Sequence, residues 1–420
     1  MRMRSRILQV LVWILALAIV SPLSAQETTG SIKGRIVDTQ GLGVPGASVT
    51  ATGPQGAKTS TTDTEGRFTI PFLTPGTYSV RAELQGFKTV EQKDINVSLG
   101  QSLDVPLKME VGGVTETVQV TASSPVIDTG STTIGATLNT DALRDIPVGR
   151  SLAQTLYLTP GVSSSGTLGT QNPSISGASG LENQYVVDGA NVTNTGYGGL
   201  GSYSIIFGSL GNATPYDFIK EIQVKTGGYG AEYGQATGGV VNVVTKSGTN
   251  DFRGSAFGYT APKGLEGGWK QYQAANGSVN TAWTQTGDAG IEGGGPLVKD
   301  RVFFFGAIDP QMNDRTFTAP PNFPLASLGE VTRKRHTTAY SAKGTFQLGS
   351  AHRFDASFFG DPSKGSTGPQ RISSLLGVDQ AAFSTLDYGG HTQSLKYDGI
   401  LNSHWLVEAS FARSKNAINE

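Results

Sequence analysis

The sequence predicts a mainly β protein: an N-terminal β-sandwich, a middle α+β domain and the start of a transmembrane antiparallel β-barrel. Three observations carry that expectation. Glycine supplies 57 of the 420 residues, and the strand formers Val, Thr, Tyr and Phe surround it, a turn-rich β composition. Short apolar runs recur between turn signals near the N-terminus, and the last third alternates apolar and polar residues with the period of two that a barrel wall needs. Beyond residue 25 no apolar stretch reaches helical-span length, so any membrane crossing must use strands, and only a closed barrel satisfies every backbone group in lipid.

The first 25 residues stand apart. Arg2, Arg4 and Arg6 precede an apolar run over residues 7–20 and a small-residue exit at Ser24 and Ala25, the pattern of a secretory signal peptide cleaved near Gln26. The run falls short of the roughly 20 residues a spanning helix needs, and no basic stop-transfer flank follows. With no cysteine, a secreted chain has neither a disulfide framework nor a thiolate metal site. A net charge of −1 without a long basic run argues against a nucleic-acid partner, which needs clustered Lys and Arg. The four histidines, His336, His352, His391 and His404, all lie late in the chain, and no nucleophile and base are placed together. The expectation is no enzyme, no catalytic residue, no metal and no cofactor.

Residues 26–110 carry candidate strands at 31–37, 47–51, 66–71, 76–83 and 101–107, separated by turn residues such as Gly41, Gly46, Pro75 and Gly86. About 80 residues with this cadence fit a small β-sandwich with Ile32, Val37, Val49, Phe68, Ile70, Tyr78 and Val80 on its inner face. The segments GSIKGRIVDTQGLGVPGASVTAT and TDTEGRFTIPFLTPGTYSVRAELQGFK resemble the carboxypeptidase regulatory-like domain, which implies a carbohydrate-binding-like fold. Peptidase chemistry does not follow, because no histidine ligand is near. Gly41, Gly43 and Gly46 spell a dinucleotide-binding spacing, but Pro45 and a β-run follow instead of a helix N-terminus; Gly196, Gly198 and Gly201 sit in a glycine-rich loop.

Residues 111–122 form a junction. After Gly112 and Gly113 come Glu116, Thr117, Val118, Gln119 and Val120, a β-prone stretch with no obvious local partner. Three readings stay open: an extended segment that adds to another protein's sheet edge, an interdomain linker, or the last strand of the sandwich.

Residues 123–250 mix helix and strand. Residues 138–147 read as a short helix capped by Asn139 or Thr140 and ended by Pro147, and 151–158 as a second. A strand pair with a turn at Gly180 follows, with Tyr185, Val186 and Val187 on a strand and Asp188 and Gly189 in a turn. PYDFIKEIQVKTGGYGAEYGQATGGVVNVVTKSGTN resembles the end of the plug domain of TonB-dependent outer-membrane receptors, with buried strands at 219–224 and 239–245. In that family a TonB box precedes the plug, and the resemblance implies that Glu116, Thr117, Val118, Gln119 and Val120 serve as one. The loop at 191–215 would face incoming substrate, making Tyr197, Tyr203 and Phe207 contact candidates; staples within the plug explain these rings equally well.

Residues 251–420 supply the wall. Thr338, Tyr340, Ala342, Gly344, Phe346 and Leu348 alternate with Thr337, Ser341, Lys343, Thr345 and Gln347, apolar outward and polar inward. The pattern resumes with Phe354, Ala356 and Phe358 against Arg353, Asp355 and Ser357, then with Leu395, Tyr397, Trp405, Val407 and Phe411. GGGPLVKDRVFFFGAID resembles the early barrel hairpin of the Oar-like branch of these receptors. The polar, proline-bearing stretches 261–280 and 310–335 read as extracellular loops, leaving six strands. A plugged barrel uses about 22 strands of roughly 9 to 11 residues, so the expectation is a truncated chain or fragment whose barrel cannot close.

The resemblance implies active uptake of a substrate, energised by TonB, by a protein of the bacterial cell outer membrane with lipid around its wall and its sandwich in the periplasm. The cargo stays open among iron chelates, oligosaccharides, peptides and vitamin B12. The alternatives are a carbohydrate-binding or adhesion protein of the cell surface, and a non-functional truncated receptor.

Overall fold

The computed structural model describes residues 27–112, 117–120, 132–146, 150–165, 172–204, 208–211, 216–230, 233–234, 236–265, 281–318, 327–370, 383–402 and 405–420. The expected signal peptide lies outside them. Strands dominate the described residues and gather into a sandwich, a central mixed sheet and a curved antiparallel wall.

In the sandwich, Gly30–Val37 lies between Arg67–Leu73, antiparallel, and Ser102–Asp104, parallel, with Leu107–Lys108 continuing alongside it. The facing sheet has the order Gly56–Thr61, Ser48–Gly53, Gly76–Glu83, Thr89–Val97, Thr117–Val120. Ile32, Val49, Phe68, Ile70, Tyr78 and Val80 meet between the sheets as expected, all buried. Ile36 rather than Val37 completes this face. Ile32, Gly34 and Ile36 share one parity, and Val37 is a residue out of step and only half-buried. Gly34 is required on that line, since a Cβ there would strike the Val105 carbonyl and the Phe68 ring. Gly56–Thr61 and Thr89–Val97 were not expected as strands. Gly56–Thr61 carries no apolar side chain larger than that of Ala57, so no apolar alternation marks it.

The central sheet has the order Ile134–Asn139, Ile219–Gly227, Val240–Thr245, Gln184–Val187, Ala190–Asn191. Only the pairing of Gln184–Val187 with Val240–Thr245 is parallel. Val240–Thr245, four valines with Asn242 and Thr245, is buried at all six positions, as a strand covered on both faces must be. The helix Thr140–Asp145 is capped by Asn139, whose side chain accepts from the Ala142 amide, and Leu152–Leu156 is capped by Ser151. The strand pairing expected across Gly180 is replaced. Ser174–Ile175 pairs with Val162–Ser163, and Gln184–Val187 turns back onto Ala190–Asn191 through Asp188 and Gly189. Both turn residues have positive φ, 47° and 77°, the two-residue geometry that matches strand twist.

Among the described residues the wall contains eight strands: Arg253–Ala261, Thr281–Val298, Val302–Thr318, Glu330–Leu348, His352–Gly360, Ser363–Thr367, Leu386–Asn402 and Trp405–Asn419. His352–Gly360 and Ser363–Thr367 occupy one place in succession, both lying between Glu330–Leu348 and Leu386–Asn402. The expected alternation holds: Ser341, Lys343, Thr345 and Gln347 are buried, and Phe346, Leu348, Phe354, Phe358, Leu395 and Phe411 are exposed.

The expected loop at 310–335 is overturned. Val302–Thr318 runs straight through Pro310, and the next strand already begins at Glu330. The proline is accommodated because the ladder to the preceding strand steps from Asp288–Gln311 to Ile291–Ile308, leaving a gap where Pro310 has no N–H to give. Glu330–Leu348, with 19 residues, spans about 60 Å at roughly 3.3 Å per residue, far more than an apolar band of about 25 Å. Its polar end therefore stands clear of lipid. Of the other expected loop, 261–280, only the first residues are described, and the remainder lies outside.

Candidate functional site

The central sheet is fastened to the inner face of the wall by one buried and two part-buried sets of ion pairs. Asp188, held at positive φ by its turn, accepts from Thr245 N at 3.0 Å and from Thr245 Oγ1 at 2.5 Å. The same carboxylate receives Lys343 Nζ at 2.8 Å, with side-chain exposures of 6% for the lysine and 2% for the aspartate. Lys343 reaches it because inward parity on Glu330–Leu348 leaves it no other direction. Removing one partner of such a pair strands a charge out of water.

A second fastening uses Arg150. Its Nη1 donates to both oxygens of Asp288 on the wall at 2.8 and 2.9 Å, and its Nη2 donates to Asp217 at 2.6 Å. The guanidinium also lies 3.4 Å from the centre of the Tyr259 ring, so it is stacked as well as paired. Burial opposes its charge, but Asp217 and Asp288 more than offset that and hold its pKa above the ordinary arginine value. Asp217, Asp288 and Asp309 bring carboxylate oxygens within 4.8 Å of one another, a grouping that could hold a cation. Arg150 supplies one positive charge there. A third fastening joins Lys246 Nζ to both oxygens of Glu292 at 2.7 and 2.8 Å.

The sandwich closes the lower end. Arg353 on the wall donates through Nη1 to Gln55 Oε1 at 2.7 Å and Thr74 Oγ1 at 2.9 Å, while its Nε donates to Asp355 at 2.6 Å. Gln55 Nε2 donates to the Gly248 carbonyl at 2.9 Å. Leu99 bridges to the central sheet, its amide donating to Glu221 and its carbonyl accepting from Gln223. Glu27 pairs with Lys225 at 2.7 Å, and Lys396 donates to Thr28 at 2.8 Å. Sandwich, central sheet and wall meet around a polar cleft lined by Thr28, Thr74, Asp188, Lys343, Arg353 and Lys396. Beside it, burial and then the charge of Arg353 push the Lys58 amine down to about 7.

A mixed sheet seated inside an antiparallel wall agrees with three family matches. Residues 31–110 match the carboxypeptidase regulatory-like domain, 126–240 the TonB-dependent receptor plug domain, and 244–320 an outer membrane β-barrel domain. The chain is built from the domains of a TonB-dependent receptor. It is 30% identical over 436 residues to the TonB-dependent transporter Oar of Myxococcus xanthus, an alignment covering 92% of this chain and 39% of that protein. The outer membrane transporter YddB of Escherichia coli shares the fold, with a TM-score of 0.50 and 14% identity over 67% of this chain and 39% of its own. The siderophore receptor PirA from Acinetobacter baumannii gives a TM-score of 0.47 and 19% identity, covering 67% of this chain and 40% of that one. The chain thus spans well under half the length of these relatives. Its plug and barrel wall belong to the bacterial outer membrane, and its relatives are transporters and receptors rather than enzymes.

Of the residues singled out in the sequence, Thr117, Val118, Gln119 and Val120 form a strand, and Glu116 lies outside the described residues. The strand has a partner in the sandwich, as one of the three readings left open by the sequence has it. It pairs in parallel with the sandwich edge, Thr89 beside Thr117 and Gln92 beside Val120. Parallel pairing needs a long crossover rather than a hairpin, so no local turn signal announces it. Tyr197 is exposed in a turn whose amides donate to Asn194. Tyr203 lies on Ser202–Ser204, paired with Gly208–Leu210, with its side chain outside the described residues, and Phe207 lies wholly outside. The structure does not bring these three together in a described site. The fastening residues Arg150, Asp188, Asp217, Asp288 and Lys343 carried no motif. For Asp288 and Lys343 the available signal was a charge at an inward position of a wall strand.

Proposed function

We propose that this receptor takes up its substrate actively. The plug blocks the lumen, the substrate docks from outside, and TonB engages Glu116, Thr117, Val118, Gln119 and Val120 from the periplasm and remodels the plug. The observation that carries this reading is the position of Thr117–Val120 at the end of its sheet, paired only on the side of Thr89–Val97 among the described residues. A terminal strand offers a second row of backbone donors and acceptors to an added strand.

The route of the pull supports the same reading. Beyond Val120 the first described plug strand is Ile134–Asn139, which is itself the edge of the plug sheet and pairs only with Ile219–Gly227. Tension applied there peels an edge and breaks ladder bonds in turn, each worth about 1 kcal/mol net. The Lys343–Asp188 fastening lies on the far strands of that sheet and holds them against the wall. The N-terminal edge of the plug therefore yields before the remainder leaves.

The test is capture of the purified TonB periplasmic domain by the chain, comparing wild type with Val118→Pro. Proline removes a backbone donor and blocks strand addition. Capture by wild type and loss in the variant support coupling at this strand. Capture that survives the proline, or never occurs, returns Thr117–Val120 to the sandwich as a structural strand.

A further inference from the structure

Three carboxylates meet one guanidinium where the plug touches the wall, and the charges do not balance. Asp288 and Gln311 are register partners on Thr281–Val298 and Val302–Thr318, and Asp309, two residues before Gln311, shares their lumen-facing parity. Asp217 comes to them from the plug, in the short helical turn Tyr216–Phe218. Its neighbour Phe218, fully buried, seats that turn against Phe305 and Ala339 of the wall. The apolar contact therefore fixes where Asp217 stands, and the three carboxylates bring oxygens within 4.8 Å of one another.

Arg150 engages two of the three, donating to Asp217 and to Asp288. Asp309 is the one it leaves, and that residue is 0% exposed. Its Oδ2 accepts from Gln311 Nε2 at 2.6 Å, and its Oδ1 has no hydrogen-bond partner among the described residues. Lys246 nearby gives its ammonium to both oxygens of Glu292. Three carboxylates against one guanidinium leave two negative charges, in a place where the side chains of Asp217 and Asp288 are only 14% and 12% exposed. A buried carboxylate oxygen with nothing to accept from carries the cost of its lost hydration. A neutral donor would relieve that oxygen alone. A divalent cation relieves it and cancels both charges.

The spacing fits one such ion. Calcium takes roughly six to eight oxygen ligands at about 2.3–2.6 Å, so oxygens on opposite sides of it stand about 4.6–5.2 Å apart. Magnesium, at about 2.0–2.1 Å, needs them within about 4.2 Å. The oxygens that already accept from Arg150 keep lone pairs for a metal, and water fills the remaining positions. We propose that Asp217, Asp288 and Asp309 hold a calcium ion that joins the plug to the wall. One ligand belongs to the plug and two to the wall, so the bound ion resists removal of Tyr216–Phe218 from its seat. The site depends neither on the coupling strand nor on the cargo.

The test uses the whole receptor in detergent, stripped of divalent ions with EDTA and dialysed, then titrated calorimetrically with calcium chloride and, separately, magnesium chloride. The expected result is one saturable calcium site per chain, filled more weakly by magnesium. Asp309→Asn keeps the shape of the side chain and leaves the bonds of Arg150 in place, and it should weaken calcium binding by roughly tenfold or more. Lipid phosphates carried with the protein bind calcium equally in both and cancel in the comparison. Equal binding by the variant overturns the proposal. So does a wild type that binds no calcium, which leaves the excess charge to a proton shared among the carboxylates.

Terbium, a luminescent stand-in for calcium, covers the case of a variant that fails to fold. Tyr216 adjoins Asp217 in the chain, and Tyr259 is the register partner of Asp288. Terbium bound there to the unsubstituted receptor emits on tyrosine excitation and is displaced by calcium. Emission that is absent, or that calcium leaves untouched, sinks the idea. Hydrogen exchange reads the joining itself, with calcium slowing exchange at residues 216–220 of the wild type and not of the variant. Exchange there that calcium does not change in the wild type overturns the joining of plug to wall.

Discussion

Asp188 joins three parts of the molecule with one carboxylate. It closes a two-residue turn, ties Thr245 to that turn and anchors Lys343 of the wall. Lys343→Ala leaves a buried aspartate without its cation, a loss of about 3–5 kcal/mol in the attachment of the plug. Hydrogen exchange checks this, with protection at residues 184–191 and 240–245 falling while the sandwich is unchanged. Lys58 makes a prediction about pH. Its folded value near 7 lies below the ordinary 10.5, so between those limits the unfolded chain holds a proton that the folded chain has shed. Stability contributed at this site therefore rises with pH from about 7 to 10.5, and below 7 the fold bears the cost of a buried ammonium. Lys58→Met should raise the melting temperature at neutral pH and flatten its rise above pH 7. A melting profile that keeps its slope in the variant assigns the pH dependence to other groups.

At the scale of elements, the informative strand is Thr117–Val120. Its parallel pairing with Thr89–Val97 means that the sandwich holds the segment TonB is proposed to take. Deleting residues 31–110 removes that competitor and should strengthen TonB capture several-fold, measured by surface plasmon resonance against the intact chain. Weaker capture after deletion would instead make the sandwich a platform that presents the strand. The wall strands teach a different lesson. Val302–Thr318 and Glu330–Leu348 keep their ladder through Pro310, Asn313, Asp314 and Arg315, residues that read as loop when counted one at a time. Their pairing with a long neighbour outweighs local propensity, because each strand residue is judged by what faces it across the ladder.

Across the whole molecule, Arg353 controls how the sandwich sits beneath the plug. Arg353→Ala takes a donor from Gln55 and from Thr74 at once and leaves Asp355 buried without its cation. The expected outcome is faster hydrogen exchange at residues 53–56 and 74–76, with Gly30–Val37 still protected because the sandwich core is separate. If protection at 53–56 is unchanged, the sandwich is held by Leu99 and Glu27 instead.

The sequence by itself determined the mainly β class, the sandwich core apart from one residue of register, the two capped helices, the buried strand Val240–Thr245 and the inward and outward faces of the wall. Each of these is written in a local period or a local cap, where neighbours in the chain are also neighbours in space. Tertiary structure alone decided the parallel docking of Thr117–Val120, the strand through Pro310, the fastenings from Arg150, Asp188 and Lys246 to the wall, and the gathering of Asp217, Asp288 and Asp309. These depend on residues far apart in the chain being brought within a few ångströms, and an ion pair or a charge cluster has no period along the chain to betray it.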